Sequence, residues 1–112
     1  MEFDSNKPIY LQIMDSICEK ILTGELAPGD RILSVREYGI EIGVAPNTVA
    51  RSYEKMTDDG IIFTKRGLGY FVCDEARDRV LERERKDFMD NEVPRFLKRM
   101  NLLGIDKKDI LL

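Results

Sequence analysis

Two short amphipathic segments lie close together in the middle of the chain, and their spacing restricts the fold more than any other feature. Residues 34–42 and residues 46–58 both carry apolar side chains at helical spacing. Only Gly43-Val44-Ala45 separates them, which leaves room for a tight turn and nothing more. Pro46 suits the first position of the second helix, where its missing N–H costs nothing. Two helices joined by such a glycine-containing turn form a helix-turn-helix motif.

The flanking segments predict a larger domain around this motif. Apolar residues recur every three or four positions from Pro8 to about Thr23, which indicates a helix. Arg31-Ile32-Leu33 has room for a short strand. Residues 61–64 and 70–73 are predicted strands of a hairpin whose loop, residues 65–69, contains glycine. The fold class is therefore mainly α with a small β-hairpin: a winged helix-turn-helix followed by a helical tail.

Local signals also set the start and the inner face of the two central helices. Ser34 and Glu37 have the spacing of a capping box, in which each side chain binds the other residue's backbone N–H. Val49, Tyr53 and Met56 fall on one side of the second helix and are expected to face the core.

From Asp74 onward the chain changes character, so we divide it into residues 1–73, the winged helix-turn-helix domain, and residues 74–112, a helical C-terminal segment. Glu82 to Asp87 alternates charges and predicts a solvated helix. Pro94 predicts a break or kink in the helix that follows, because proline deletes a helical hydrogen bond. Asp106 is a candidate cap for a last short helix.

The tail carries an apolar stripe that a single helix cannot bury. The expected partner is a second copy of the same chain, so we predict a homodimer. The predicted contact residues are Phe88, Met89, Val93, Phe96, Leu97, Met100 and Leu103.

The second helix of the motif has the side chains needed to read DNA. On a helical wheel, one polar face lies opposite the inner face, and Asn47, Arg51 and Lys55 form a single line along it. Asn pairs with adenine and Arg with guanine, while Lys and hydroxyl groups hold phosphates. A polar helix face is ordinarily only solvated; its position in a helix-turn-helix favours DNA. The residues on this face are Asn47, Thr48, Arg51, Ser52 and Lys55.

Two neighbouring segments add basic groups that would flank the same duplex. Arg36 lies in the first turn of the preceding helix, where free N–H groups favour an anion. Lys65 and Arg66 lie in the hairpin loop beside Gly67, which allows a close backbone approach to a sugar-phosphate edge.

The charge balance restricts how DNA is bound. The net charge is −3, and residues 1–73 hold eight basic and eleven acidic side chains. More than half of those acidic residues precede Arg31, in or before the first helix and turn, whereas the candidate face keeps its basic groups. We expect weak non-specific binding, because that binding depends on phosphate neutralisation.

Composition excludes several other classes of function. The chain has no histidine, which removes Ser-His and Cys-His pairs and His metal ligands. Cys18 and Cys73 lie too far apart for a CxxC pair, which fits a reducing cytosol. No apolar run approaches the ~20 residues of a membrane helix, and the acidic N-terminus has no signal core. We expect a cytoplasmic protein that is not an enzyme, with no cofactor, no metal and no membrane partner.

Spaced motifs over about residues 7–73 resemble the GntR-type winged-helix transcription regulators. Pro8 to Ile13 is similar to their opening P-x-Y-x-Q-I, and Ile21 to Ile32 matches I-x-x-G-x-L-x-P-G-x-x-L. Ala45 to Arg51 resembles the N-P-N-T-V-A-R of the short YtrA-like branch, and the tail from Pro94 to Ile105 resembles the tail of that branch.

The resemblance implies a homodimer on double-stranded DNA with an inverted repeat. Each recognition helix would enter a major groove and each wing would touch the adjacent minor groove, with half-sites ~34 Å apart. Repression is the usual outcome in the family. The sequence specifies neither the operator nor a small-molecule effector.

Departures from the family pattern change the expected readout. Many members have Arg at the positions of Pro46 and Ala50, so base contacts are expected to shift to Asn47, Thr48 and Arg51.

Two further departures are expected to weaken the helix pair. Gly39 replaces an alanine, at a cost of about 1 kcal/mol, and Ala45 replaces a better N-cap, again about 1 kcal/mol. The resulting hypothesis is that DNA orders the pair.

A winged helix that binds a protein instead of DNA is the alternative reading. The acidic balance and the apolar C-terminus, which ends in Leu111-Leu112, favour it.

Overall fold

The computed structural model describes Phe3 and residues 6–111 of the chain. Leu112, which the prediction for the C-terminus included, lies outside the described residues, as do residues 1, 2, 4 and 5. The chain forms two compact units, the first ending at Leu81 and the second beginning at Glu82.

The first unit has the predicted winged-helix order. Its three strands form one antiparallel sheet, and the strand that comes last in the chain lies between the other two. The first strand of the hairpin lies one residue later than predicted, and the second strand lies one residue earlier. Lys65 therefore pairs with Gly69 at the end of the ladder. The elements are α1 (Ile9–Thr23), β1 (Arg31–Ile32), α2 (Val35–Ile42), α3 (Pro46–Asp58), β2 (Ile62–Lys65), β3 (Gly69–Val72) and α4 (Ala76–Asp87).

The core of this unit joins α1, α2, α3, the sheet and the start of α4. The predicted inner face of α3 is confirmed, since Val49, Tyr53 and Met56 are all buried. Ala76 and Val80 of α4 are also fully buried in this core. The first compact unit therefore extends beyond residue 73, where the composition changes.

Tyr53 holds α3 against the elements before it. Its hydroxyl donates to the Leu33 carbonyl at 2.6 Å, and its ring meets that of Tyr70 edge-on, with the centroids 4.9 Å apart. Burial raises the pKa of Tyr53, and the neighbouring Tyr38 adds to this effect. The hydroxyl thus stays protonated and remains a donor.

The predicted capping box of α2 is confirmed, but the interpretation of Gly39 as a mere weakness is wrong. The Val44 N–H donates to the Gly39 carbonyl at 2.9 Å. A methyl group at Gly39 would lie 2.7 Å from the Val44 carbonyl oxygen, well inside contact distance. The turn between α2 and α3 therefore requires glycine at this position.

The chain beyond α4 is helical through the point where a break was predicted. A π-helical turn (Phe88–Glu92) leads into α5 (Val93–Leu102). The Val93 N–H donates to the Phe88 carbonyl, five residues back, and Pro94 lies in the first turn of α5. The chain does not break here, but the regular α-helical pattern widens into a π-helical turn just before Pro94, at the place where a break or kink was predicted.

The end of the second unit follows the prediction. Asp106 caps a short 3-10 helix (Lys107–Asp109), accepting a hydrogen bond from the Lys108 N–H.

Most of the predicted dimerisation residues are exposed to solvent. Phe88, Met89, Phe96, Leu97 and Leu103 are exposed, and Val93 is half-buried. Met100 is only 9% exposed, so a single chain already buries it. Within the described residues, no helix is long and apolar enough to cross a membrane.

Candidate nucleic-acid interface

Helix α3 presents part of the predicted polar face to solvent. Asn47 and Arg51 are exposed, while Thr48 and Lys55 are half-buried. Lys55 lies one turn from Asp59, with its Nζ 3.5 Å from a carboxylate oxygen. This contact reduces the positive charge that Lys55 offers to a phosphate, so Asn47 and Arg51 dominate the exposed line.

Arg51 has a defined partner on another helix. Its guanidinium carbon lies 4.0 Å from the centre of the Tyr10 ring, which is within the range of a cation–π contact. In the sequence, Tyr10 falls within the predicted first helix and the P-x-Y-x-Q-I motif, and neither gives it a role at this surface. The sequence around Arg51 does not indicate this contact, because the contact joins residues that are far apart in the chain.

The prediction that Ser52 lies on the DNA-facing surface is wrong. Ser52 is fully buried, and its hydroxyl donates to the backbone carbonyl of Tyr10. On a wheel Ser52 belongs to the polar face, but α1 packs over that edge of α3. The residue joins two helices and is unavailable to a ligand.

Arg36 is exposed in the first turn of α2, beside the capping box. The Ser34 N–H donates to Glu37 Oε1 at 3.0 Å, and the Glu37 N–H donates to the Ser34 hydroxyl at the same distance. The bond from the Ser34 N–H holds the pKa of the Glu37 carboxyl below its ordinary value, and the Ser34 side chain and the charge of Arg31 lower it further. The capping box thus holds the backbone in place in the first turn of α2, where Arg36 lies.

The tip of the wing is exposed and basic. Lys65, Arg66 and Gly67 are all exposed, and Gly67 has a φ of 78°, which disfavours other residues there. The Lys65 ammonium lies 4.8 Å from the centre of the Phe71 ring and 5.8 Å from that of Phe63. The aromatic pair limits where this flexible cation can go.

Arg31 connects the wing to the start of α2. Its Nε donates to the Leu68 carbonyl at 3.2 Å, and another guanidinium nitrogen lies 3.6 Å from Glu37 Oε1. Sequence reasoning missed this residue, because its partners lie in two different elements. The contact brings the predicted wing residues and the segment that carries Arg36 into one neighbourhood.

The fold and this exposed polar helix define a class: the winged helix-turn-helix DNA-binding proteins. A family model described as bacterial regulatory proteins, gntR family, matches residues 9–72. The chain belongs to this GntR family of transcription regulators, as the sequence motifs predicted. The expectation that it is not an enzyme agrees with the family, whose members are regulatory proteins.

Similar proteins extend the comparison to the whole chain. The HTH-type transcriptional regulator YhcF of Bacillus subtilis is 43% identical over 111 residues, which cover 98% of this chain and 89% of YhcF. The transcriptional repressor YtrA of the same organism is 40% identical over 78 residues, 70% of this chain and 60% of YtrA.

Solved structures show the same fold. A GntR family regulator from Listeria monocytogenes superposes with a TM-score of 0.78 at 37% identity, covering 97% of this chain and 94% of its own. The DNA-binding domain of AraR, crystallised in complex with operator ORR3, superposes with a TM-score of 0.58 at 26% identity, covering 65% of this chain and 86% of its own.

Proposed function

We propose that this DNA-binding regulator acts in the cytoplasm as a homodimeric repressor of an inverted-repeat operator. The observation that carries the proposal is the exposed line of α3, where Asn47 and Arg51 stand free of the core. In this proposal α3 enters the major groove. Arg51 pairs with a guanine edge and Asn47 with an adenine, the pairings that their hydrogen-bonding groups favour.

The remaining contacts go to the DNA backbone. Arg36, Lys65 and Arg66 neutralise phosphates, and Gly67 lets the wing approach a sugar-phosphate edge. Lys55, which is half-buried, adds a phosphate contact, and Thr48, also half-buried, joins Asn47 and Arg51 in base readout. Ser52 has no part in the interface, because its hydroxyl is already bound within the protein.

The dimer forms through the second unit. Phe88, Met89, Phe96, Leu97 and Leu103 leave apolar surface in contact with water in one chain. Burial of such surface is the main driving force for association. A two-fold axis would then match the symmetry of an inverted repeat. Repression is proposed by analogy with the relative YtrA, which is named a repressor.

The test begins with selection of bound duplexes from a random DNA pool by the full chain. We expect a two-fold symmetric motif with half-sites about one helical turn apart. Arg51→Ala should then weaken binding to the selected operator by about 1 to 3 kcal/mol. Arg77→Ala is the matched control, since it removes an exposed Arg from α4.

Three outcomes would contradict the proposal. Absence of any enriched motif would favour a module that binds protein. An asymmetric motif would contradict the dimer. Equal losses in Arg51→Ala and Arg77→Ala would remove Arg51 from the base-reading set.

A further inference from the structure

Tyr10 of α1 contacts two successive residues of α3. Its ring lies under the guanidinium of Arg51, at 4.0 Å from ring centre to guanidinium carbon. Its backbone carbonyl accepts the hydrogen bond of the buried Ser52 hydroxyl. Tyr10 therefore contacts both Arg51, which points outward from α3, and Ser52, which points inward.

The two contacts have different physical roles. The Ser52 bond involves the backbone of Tyr10 and holds the two helices together whatever side chain stands at position 10. The ring contact involves only the side chain and acts on a flexible group, because the long Arg side chain has many rotamers and loses entropy when it is held in one. A flat ring beneath the guanidinium restricts that freedom and leaves the N–H groups at its edge free to donate.

We propose that Tyr10 is a positioning residue for operator recognition, which holds the Arg51 guanidinium in the orientation that pairs with a base. This inference rests on the proposed role of Arg51 in reading DNA. A base edge requires two parallel hydrogen bonds from a planar donor, so its recognition depends on orientation. Attraction to phosphates depends mainly on charge and much less on the direction of the side chain.

The position of Tyr10 separates this role from ordinary core packing. The buried residues of α1 begin at Ile13, whereas Tyr10 is only half-buried and Ile9 before it is exposed. Replacement of the ring removes little core contact. It retains the backbone carbonyl that Ser52 binds.

The test compares four variants by fluorescence anisotropy: Tyr10→Phe, Tyr10→Leu, Arg51→Ala and the double variant Tyr10→Leu/Arg51→Ala. The probes are the selected operator and a scrambled duplex of equal length and composition. We expect Tyr10→Leu to weaken operator binding about threefold to tenfold, the value of one cation–π contact. Binding to the scrambled duplex should not change. Tyr10→Phe keeps the ring and should bind as the unaltered protein does.

The double variant decides whether Tyr10 acts through Arg51. It should bind the operator no more weakly than Arg51→Ala alone, because the ring has nothing left to position. Thermal unfolding checks that each variant is folded. Tyr10→Met, a second apolar side chain without a ring, serves as the test if Tyr10→Leu unfolds.

Several results would overturn the inference. Additive losses in the double variant would show that Tyr10 acts independently of Arg51. An equal loss in Tyr10→Phe would assign the effect to the hydroxyl. Either result leaves the DNA-reading role of Arg51 intact, whereas an Arg51→Ala variant with unchanged operator affinity would overturn both proposals.

Discussion

The two units of the chain treat their apolar residues in opposite ways. The winged-helix unit, which ends at Leu81, buries apolar side chains from four helices and a sheet in one core. In the described part of the second unit, from Glu82 to residue 111, Met100 is the one buried hydrophobic residue. Exposed large hydrophobic residues of this unit include Phe88, Met89, Phe96, Leu97, Leu102, Leu103, Ile105, Ile110 and Leu111.

This difference separates a unit that buries its apolar residues within one chain from a unit that leaves most of them exposed. Several elements must pack together before a domain can bury its apolar surface. The first unit meets this condition, and the second consists of helical segments with an apolar face still in water. The following substitutions test that contrast, beginning with the largest expected effect.

Truncation of an apolar side chain to alanine should destabilise the protein more in the first unit than in the second. Met56 is fully buried, so Met56→Ala should destabilise the protein by about 2 to 5 kcal/mol through loss of burial and creation of a cavity. Leu97 is 48% exposed, and Leu97→Ala should cost far less in protein diluted below its association range. Urea unfolding at two protein concentrations measures both. Equal costs in dilute protein would contradict the contrast.

A charge in the exposed apolar face should break the proposed dimer. Phe96→Asp places a carboxylate where burial is expected and should weaken association by at least about 2 kcal/mol. Asn101→Asp adds the same charge to an exposed position of α5 and is the control. Sedimentation equilibrium measures the dissociation constant. A monomer in both the unaltered protein and the control would refute the dimer itself.

Gly39→Ala tests the turn on which α3 depends. Helix propensity alone predicts a gain in stability of about 1 kcal/mol. The contact of the new methyl group with the Val44 carbonyl predicts a loss of about 1 to 3 kcal/mol instead. The midpoint of thermal unfolding distinguishes the two signs, and a raised midpoint would show that the turn relaxes easily.

Ser52→Ala tests the structural role assigned to this hydroxyl. The variant should lose about 1 kcal/mol of stability, because the Tyr10 carbonyl loses its donor. Ala50→Ser places a hydroxyl on the exposed neighbouring residue and should have little effect on stability. Chemical unfolding measures both. A Ser52→Ala variant that keeps full stability but binds DNA more weakly would contradict the structural role and support the surface role predicted from the sequence.

The smallest expected effect concerns pH and the capping box of α2. The Ser34 N–H lowers the pKa of Glu37 in the folded protein below the ordinary value of 4.5. The charged carboxylate therefore stabilises the fold above about pH 4.5, and this contribution is lost as the pH falls through the lower, folded-state pKa. Glu37→Gln can still accept the Ser34 bond but does not titrate, so its stability should depend less on pH in this range.

The pH prediction has a control in the same helix. Glu41→Gln removes an exposed carboxylate that lies outside the capping box. Urea midpoints at pH 7 and at pH 3 to 4 give the comparison. A pH dependence that is identical in Glu37→Gln and in the unaltered protein would contradict the assignment.

Residue spacing is sufficient to predict the elements of the first unit and their order. The capping box of Ser34 and Glu37, Pro46 at the first position of α3 and the left-handed Gly43 all act within one or two turns of chain. Such local effects can be read from spacing alone. The inner face of α3 and the family motifs can also be recognised in the sequence. Together they are sufficient to predict the fold class and the regulator function.

What covers each face of a helix depends on packing between elements that are distant in the chain. A helical wheel gives the direction of a side chain but not the neighbour that it meets, so it grouped Ser52 with Arg51. In the folded chain α1 buries Ser52 and places the Tyr10 ring under Arg51. The need for Gly39 depends in the same way on an approach of backbone atoms outside the helix. These features arise from packing between elements, which no local pattern records.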